Sequence, residues 1–163
     1  MSETTINPVD DQETGGNAAE TPATGDTPVT TVKSIINQAI ESVMDLIDGM
    51  KLFALIYRGA LGTDNGLCCE IAPTSPQEVY LDKNQYIPID VTINGKHENL
   101  ETLSEAMNMI HENLTMLKEY PTGTGWHITD IATITEPQVI GRSDNKGWIM
   151  ASNLSVRIIT EKE

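Results

Sequence analysis

From Val32 onward the apolar residues of this chain fall into a regular spacing. Val32, Ile35, Ile36, Ala39, Ile40, Val43, Met44 and Ile47 recur at intervals of three and four, with Asn37, Gln38, Glu41, Ser42, Asp45 and Asp48 between them. That is one apolar stripe on a helix. Thr30 or Thr31 can cap its start and Gly49 fits just past its end, so the spacing predicts a helix over 32–48. Two short aliphatic runs follow, 51–57 and 67–72, separated by Gly59, Gly62 and Thr63-Asp64-Asn65-Gly66. An Asp-Asn-Gly turn between apolar runs predicts a hairpin.

Pro73 and Pro76 break the chain. Then Ile87, Ile89, Val91 and Ile93 alternate with Pro88, Asp90 and Thr92, which predicts a strand with one buried face. Pro88 has no N–H to give a neighbour, so it belongs at the strand's start or on a free edge. Asn94-Gly95-Lys96-His97 reads as a turn. A second helix follows, with Asn99 as a cap candidate and Thr102-Leu103-Ser104-Glu105 matching the capping box. Leu103, Ala106, Met107, Ile110, Leu114 and Leu117 share its apolar face, and Pro121 and Gly123 end it. Glu101, Glu105, Asn108, Glu112 and Asn113 form its polar face.

The last third predicts two strands. In 126–135 the apolar set Trp126, Ile128, Ile131, Ile134 changes parity midway, which calls for a bulge or twist. In 148–160, Trp148, Met150, Leu154, Val156 and Ile158 share one face, with Ser152 as the polar exception. The turn formers of 141–147 lie between, so these segments make a long hairpin. Helix, three strands, helix and two strands give an α+β fold: a largely antiparallel or mixed sheet flanked by two helices.

Composition changes the picture at the N-terminus. Residues 1–31 hold Pro8, Pro22, Pro28, several glycines and six acids without Lys or Arg, a composition that cannot bury enough apolar surface to offset chain entropy. We read 1–31 as a disordered acidic arm and 32–163 as a single domain. Of the net charge of -14, the arm carries -6, so the rest is acidic as well. Stable gripping of a nucleic-acid backbone is not expected of such a chain, and an acidic surface favours passage of phosphate over adhesion. No apolar run is long enough to span a membrane, and no leader pattern is present, so a soluble protein made inside a cell is expected. Cys68 and Cys69 are neighbours, and a disulfide between them would be strained; two buried thiols are the better reading.

No arrangement supports catalysis. His111 borders the apolar stripe of the second helix and reads as a packing residue, His97 lies in the predicted turn, and His127 points away from Trp126 and Ile128. Asp64-Asn65, Asp82 with Asn84, and Asp144-Asn145 read as turns; after Asp82, positions 86, 87 and 93 are Tyr, Ile and Ile, so a calcium loop does not follow. No phosphate-binding or nucleophile-elbow motif occurs. No cofactor, metal or catalytic residue is expected. Trp126 and Trp148, placed near the loop ends of the final hairpin, suit either an interface or the closing of a sheet end.

Residues 67–160 also resemble a known family, the small minor capsid proteins of long-tailed phages of Gram-positive bacteria, which look like tail terminators. The resemblance is carried by Tyr80-Leu81-Asp82-Lys83-Asn84-Gln85-Tyr86-Ile87-Pro88, Asn94-Gly95-Lys96-His97, Ile110-His111-Glu112-Asn113-Leu114-Thr115, Tyr120-Pro121, Trp126 with Ile128-Thr129-Asp130-Ile131, and Trp148-Ile149-Met150-Ala151-Ser152 with Leu154. It implies a tail-terminator-like sheet flanked by helices and a hexameric ring that caps the tail tube at the head–tail junction of the virion, assembled in the host cytoplasm. The implied partners are copies of itself, the tail tube protein and a head-completion or connector protein, with DNA passing through the lumen unbound. The acidic arm departs from that family's compact pattern. Within this reading the 59–66 turn and the 136–148 loop face the tube, the second helix helps to seal the ring, and the contacts fall to Arg58, Asp64, Asn65, Trp126, Arg142, Asp144, Lys146 and Trp148. Another neck or head-completion protein, or a capsid decoration protein, is the alternative.

Overall fold

The computed structural model describes residues 32–72, 78–79, 84–144 and 146–161. The arm, the cap at Thr30 or Thr31, and Asp82 lie outside the described residues. The elements are helix α1 (Val32–Gly49), strands β1 (Ile56–Arg58), β2 (Gly66–Ile71), β3 (Glu78–Val79) and β4 (Gln85–His97), helix α2 (Leu100–Thr115), and strands β5 (Thr122–Gly123), β6 (Trp126–Arg142) and β7 (Trp148–Thr160). They form an α+β fold on one mixed sheet in the order β1-β2-β4-β7-β6-β5, with β3 paired to β4.

The sheet has two different faces. Ile87, Ile89, Val91 and Ile93 of β4 lie beside Ile158, Val156, Leu154 and Ser152 of β7, and all eight are buried. Against this face pack Ile35, Ala39, Ile40, Val43 and Ile47 of α1 and Leu103, Met107, Ile110 and Leu114 of α2. The alternate residues, Pro88, Asp90 and Thr92 beside Arg157, Ser155 and Asn153, form the opposite face and are only partly covered or exposed. Both helices thus lie on one side, and the period of two in β4 and β7 records it. β4 and β6 each run antiparallel to β7, so β4-α2-β6 is a parallel crossover with β7 inserted in the middle.

Two expectations about turns are corrected. β1 and β2 pair in parallel, Ile56 with Leu67 and Arg58 with Cys69, so 59–65 is a return loop and not a hairpin turn. Local bonds explain it. The Ile56 N–H is taken by Asp48 Oδ1 at 2.8 Å, which turns β1 along the end of α1, and the Tyr57 hydroxyl folds the loop back by accepting from the Gly62 N–H at 2.8 Å and donating to the Ala60 carbonyl at 3.0 Å. The strand takes only the last two residues of the 51–57 run, Ile56 and Tyr57, and ends at Arg58. The second correction is Asn94-Gly95-Lys96-His97, which continues β4 between β2 and β7. Gly95 is needed there for closeness: a Cβ would fall 2.7 Å from Leu103 Cδ1 of α2.

Pro88 sits inside β4, opposite Arg157. The Asp90 carbonyl accepts from the Ala72 N–H on the β2 side, and main-chain groups alternate, so Pro88 turns its missing N–H to that same side. There β2 has ended at Val91 and β3 begins at Tyr86. The proline therefore faces a local gap in the ladder, which is the physical content of the free-edge expectation. Asn99 caps α2, its Oδ1 accepting from Glu101 and Thr102 N–H at 2.8 and 3.3 Å; the Thr102–Glu105 box lies inside the helix instead. At the end of α1, Gly49 is still helical and Lys51 takes the left-handed conformation, φ 54°.

The β6–β7 hairpin is longer than predicted. The parity change in β6 appears as register shifts at Ile128/Asp130, Thr133/Thr135, Thr135/Gln138 and Val139/Gly141. These bulges let strand pairing continue to Arg142 opposite Trp148, so the expected 136–148 loop shrinks to 143–147.

Candidate functional site

The loop tips meet at one end of the sheet. β4 delivers Lys96 there between the 59–65 return loop and the 143–147 turn. Its ammonium donates to the Thr63 carbonyl, its stem lies against Gly147, and only 6% of the residue is exposed. Thr63, Asp64, Asn65, Lys96, Glu98 and Gly147 line an open cavity of about 180 Å³. The tip of the hairpin is held by Ser143 N–H to the Gly147 carbonyl at 2.8 Å and Lys146 N–H to the Ser143 carbonyl at 2.9 Å. Lys146 takes a left-handed φ of 63°.

Arg142 closes the same corner. Its guanidinium lies 4.4 Å from the Trp148 ring centroid and donates to the Lys146 carbonyl at 3.2 Å, a stacked cation worth about 0.5–1 kcal/mol where exposed. Asp64, Asn65, Arg142, Asp144, Lys146 and Trp148 are thus brought to one end. Arg58 lies apart on β1, exposed, donating to Asn37 Oδ1 of α1 at 2.8 Å. Trp126 does not join them. It pairs with Thr160 at the opposite end of the hairpin, is 4% exposed, and donates through Nε1 to Gln38 of α1 at 3.1 Å. It closes the core, with Gly123 flat against its ring.

A second cavity, of about 210 Å³, opens between α2 and β6, lined by Asn108, His111, Glu112, Thr115, Thr133 and Glu136. Helical spacing puts the α2 members on one stripe beside the apolar face. His111 is buried, with Nδ1 2.8 Å from Thr133 Oγ1, while Nε2 has no hydrogen-bond partner. Burial holds this imidazole below its ordinary pKa, partly countered by the Glu136 carboxylate. A hydroxyl beside a ring nitrogen is the start of a nucleophile–base pair, yet no side chain among the described residues orients the other nitrogen, as such a pair needs.

Among the described residues no cluster of His, Cys, Asp or Glu is placed to hold a metal ion, and no helix is long and apolar enough to cross a membrane. Cys68 and Cys69 are free and buried, as expected of neighbours. Burial raises both thiols, Cys69 to about 11.

Sequence reasoning missed Lys96, because the Asn-Gly pair read as a turn, and missed Thr133 and Glu136, because their placement depends on the bulges of β6. The spacing of Asn108, His111, Glu112 and Thr115 was the available signal for the second cavity. No protein-family model matches the chain, and no curated protein matches it.

Proposed function

We propose that this chain is a structural component of a virion that works by fitting against other subunits, as a ring at the head-proximal end of a phage tail. The observation that carries the reading is the convergence of the return loop and the hairpin tip around Lys96, a polar end of the sheet built from main-chain turns and exposed charges. Such an end suits docking to a neighbouring subunit, with Arg142 and Lys146 available to an acidic partner surface. The resemblance of residues 67–160 to phage minor capsid proteins supplies the tail. The acidity of the chain fits a conduit for DNA, whose phosphates it repels.

The test is tail joining in a phage lacking its own copy of this gene and complemented with variants. Arg142→Ala combined with Lys146→Glu should reduce joined particles while the thermal melt of the purified chain stays within a few degrees of wild type. Normal joining by the double variant would remove the assignment. The alternative of a capsid decoration protein predicts joined particles with altered shells.

A further inference from the structure

The sheet ends in two unlike edges that carry complementary groups. Among the described residues, the last main-chain bond on the outer side of β6 runs from the Ile128 N–H to the Pro121 carbonyl, and beyond it β6 pairs only with β7, so its outer edge is free there. That edge exposes Ile134 and Ile140. Beside it lies the cavity where Glu112 and Glu136 flank His111, which is 4% exposed and has an unpartnered Nε2. A buried ring nitrogen without a partner is unfavourable and marks a place where a further group fits.

At the other end, β1 pairs only with β2 among the described residues. Leu55 and Tyr57 are exposed there. Arg58 shares the face of buried Ile56 and reaches Asn37 of α1. It therefore projects on the helical side of the sheet, the side on which the acidic cavity opens.

We propose that copies of this chain associate head to tail, the β1 edge of one against the β6 edge of the next, with Arg58 entering the neighbour's cavity between Glu112 and Glu136. A guanidinium presents five donors and no acceptor, so it answers two carboxylates and one imidazole lone pair together. Nδ1 lies 2.8 Å from Thr133 Oγ1; in the neutral tautomer whose Nδ1–H donates to that hydroxyl, Nε2 is the acceptor, and burial favours the neutral ring. Leu55 and Tyr57 cover Ile134 and Ile140. A second copy is the occupant because the chain itself carries both halves, an exposed cation with apolar neighbours on one edge and an acidic cavity with apolar neighbours on the other. Main-chain pairing contributes little, since the outward Ile56 N–H is already taken by Asp48 and β6 is interrupted by bulges and Pro137. Such a heterologous contact gives a ring if its rotation closes and a filament if it does not. The contact rests on the ring reading only for its biological setting.

The test uses full chains carrying Leu55→Cys, at a side chain 72% exposed on the β1 edge, or Ile140→Cys, oxidised singly and mixed at high concentration. Cross-linked pairs should form in the mixture and not in either variant alone. In sedimentation, Arg58→Glu or Glu136→Lys should each weaken self-association by about tenfold or more, and both in one chain should restore it. Cross-linking of Ile140→Cys to itself would show a symmetric contact and overturn the proposal. So would a monomer without cross-links at the highest soluble concentration. Cross-linking by a protein that is absent from the head–tail junction would keep the contact and remove the tail role; the reverse result would do the opposite.

Discussion

Gly95→Ala tests how closely α2 lies on the sheet. The added methyl would fall 2.7 Å from Leu103 Cδ1, 3.1 Å from Leu67 Cδ2 and 3.2 Å from Met107 Sδ. All three are ends of flexible side chains, so the cost is displacement of packed groups, about 1–3 kcal/mol for overpacking of this kind. Gly95 is not among the glycines with positive φ, so alanine fits the backbone and restricts the unfolded chain, a gain of about 0.4–1 kcal/mol. The net is a loss of about 1–2 kcal/mol. Urea unfolding should show a lower midpoint at unchanged slope. In a Leu103→Ala background the closest obstacle is gone, and Gly95→Ala should then be neutral or stabilising, a coupling that a double-mutant cycle reads directly. If Gly95→Ala is neutral in the wild-type background, or equally costly in both, α2 does not approach β4 as described.

Other outcomes follow from single groups. Burial holds His111 below its ordinary value of 6.5, so the unfolded chain takes up this proton first; stability present above that pH is lost as pH falls below it, and His111→Gln should flatten that part of the curve in urea titrations on either side of the value. Asn99→Ala removes the acceptor of two N–H groups and should cost about 1 kcal/mol by thermal melt. The two cysteines are buried and Cys69 is raised to about 11, so a thiol reagent should label neither in the native protein and both in denaturant.

Periodicity recovered the elements that sit on the core. α1, α2, β4 and β7 each bury one face against the same cluster, and a buried face imprints its spacing on the sequence. What failed was decided by contacts distant in sequence. The parallel pairing of β1 depends on Asp48 reaching Ile56 and on Tyr57 folding the loop, and nothing in a Thr-Asp-Asn-Gly stretch reveals either. Asn94-Gly95 has turn composition because α2 needs a residue without a side chain beneath it. Trp126 lies far from the hairpin tip because it opens β6 opposite Thr160, at the other end of the strand pair; of the bulges that lengthen β6, only their existence, not their number, showed in the parity of Ile128, Ile131 and Ile134. The charged tip residues were legible individually; Lys96, which draws them together, looked like part of a turn.

Locating the protein in assembled particles tests the central claim most directly. Gold-labelled antibody raised against residues 32–163 should mark a single position at the head–tail junction of intact virions and the head-proximal end of free tails. Label spread over the capsid shell, or particles that carry none of this chain, would contradict it.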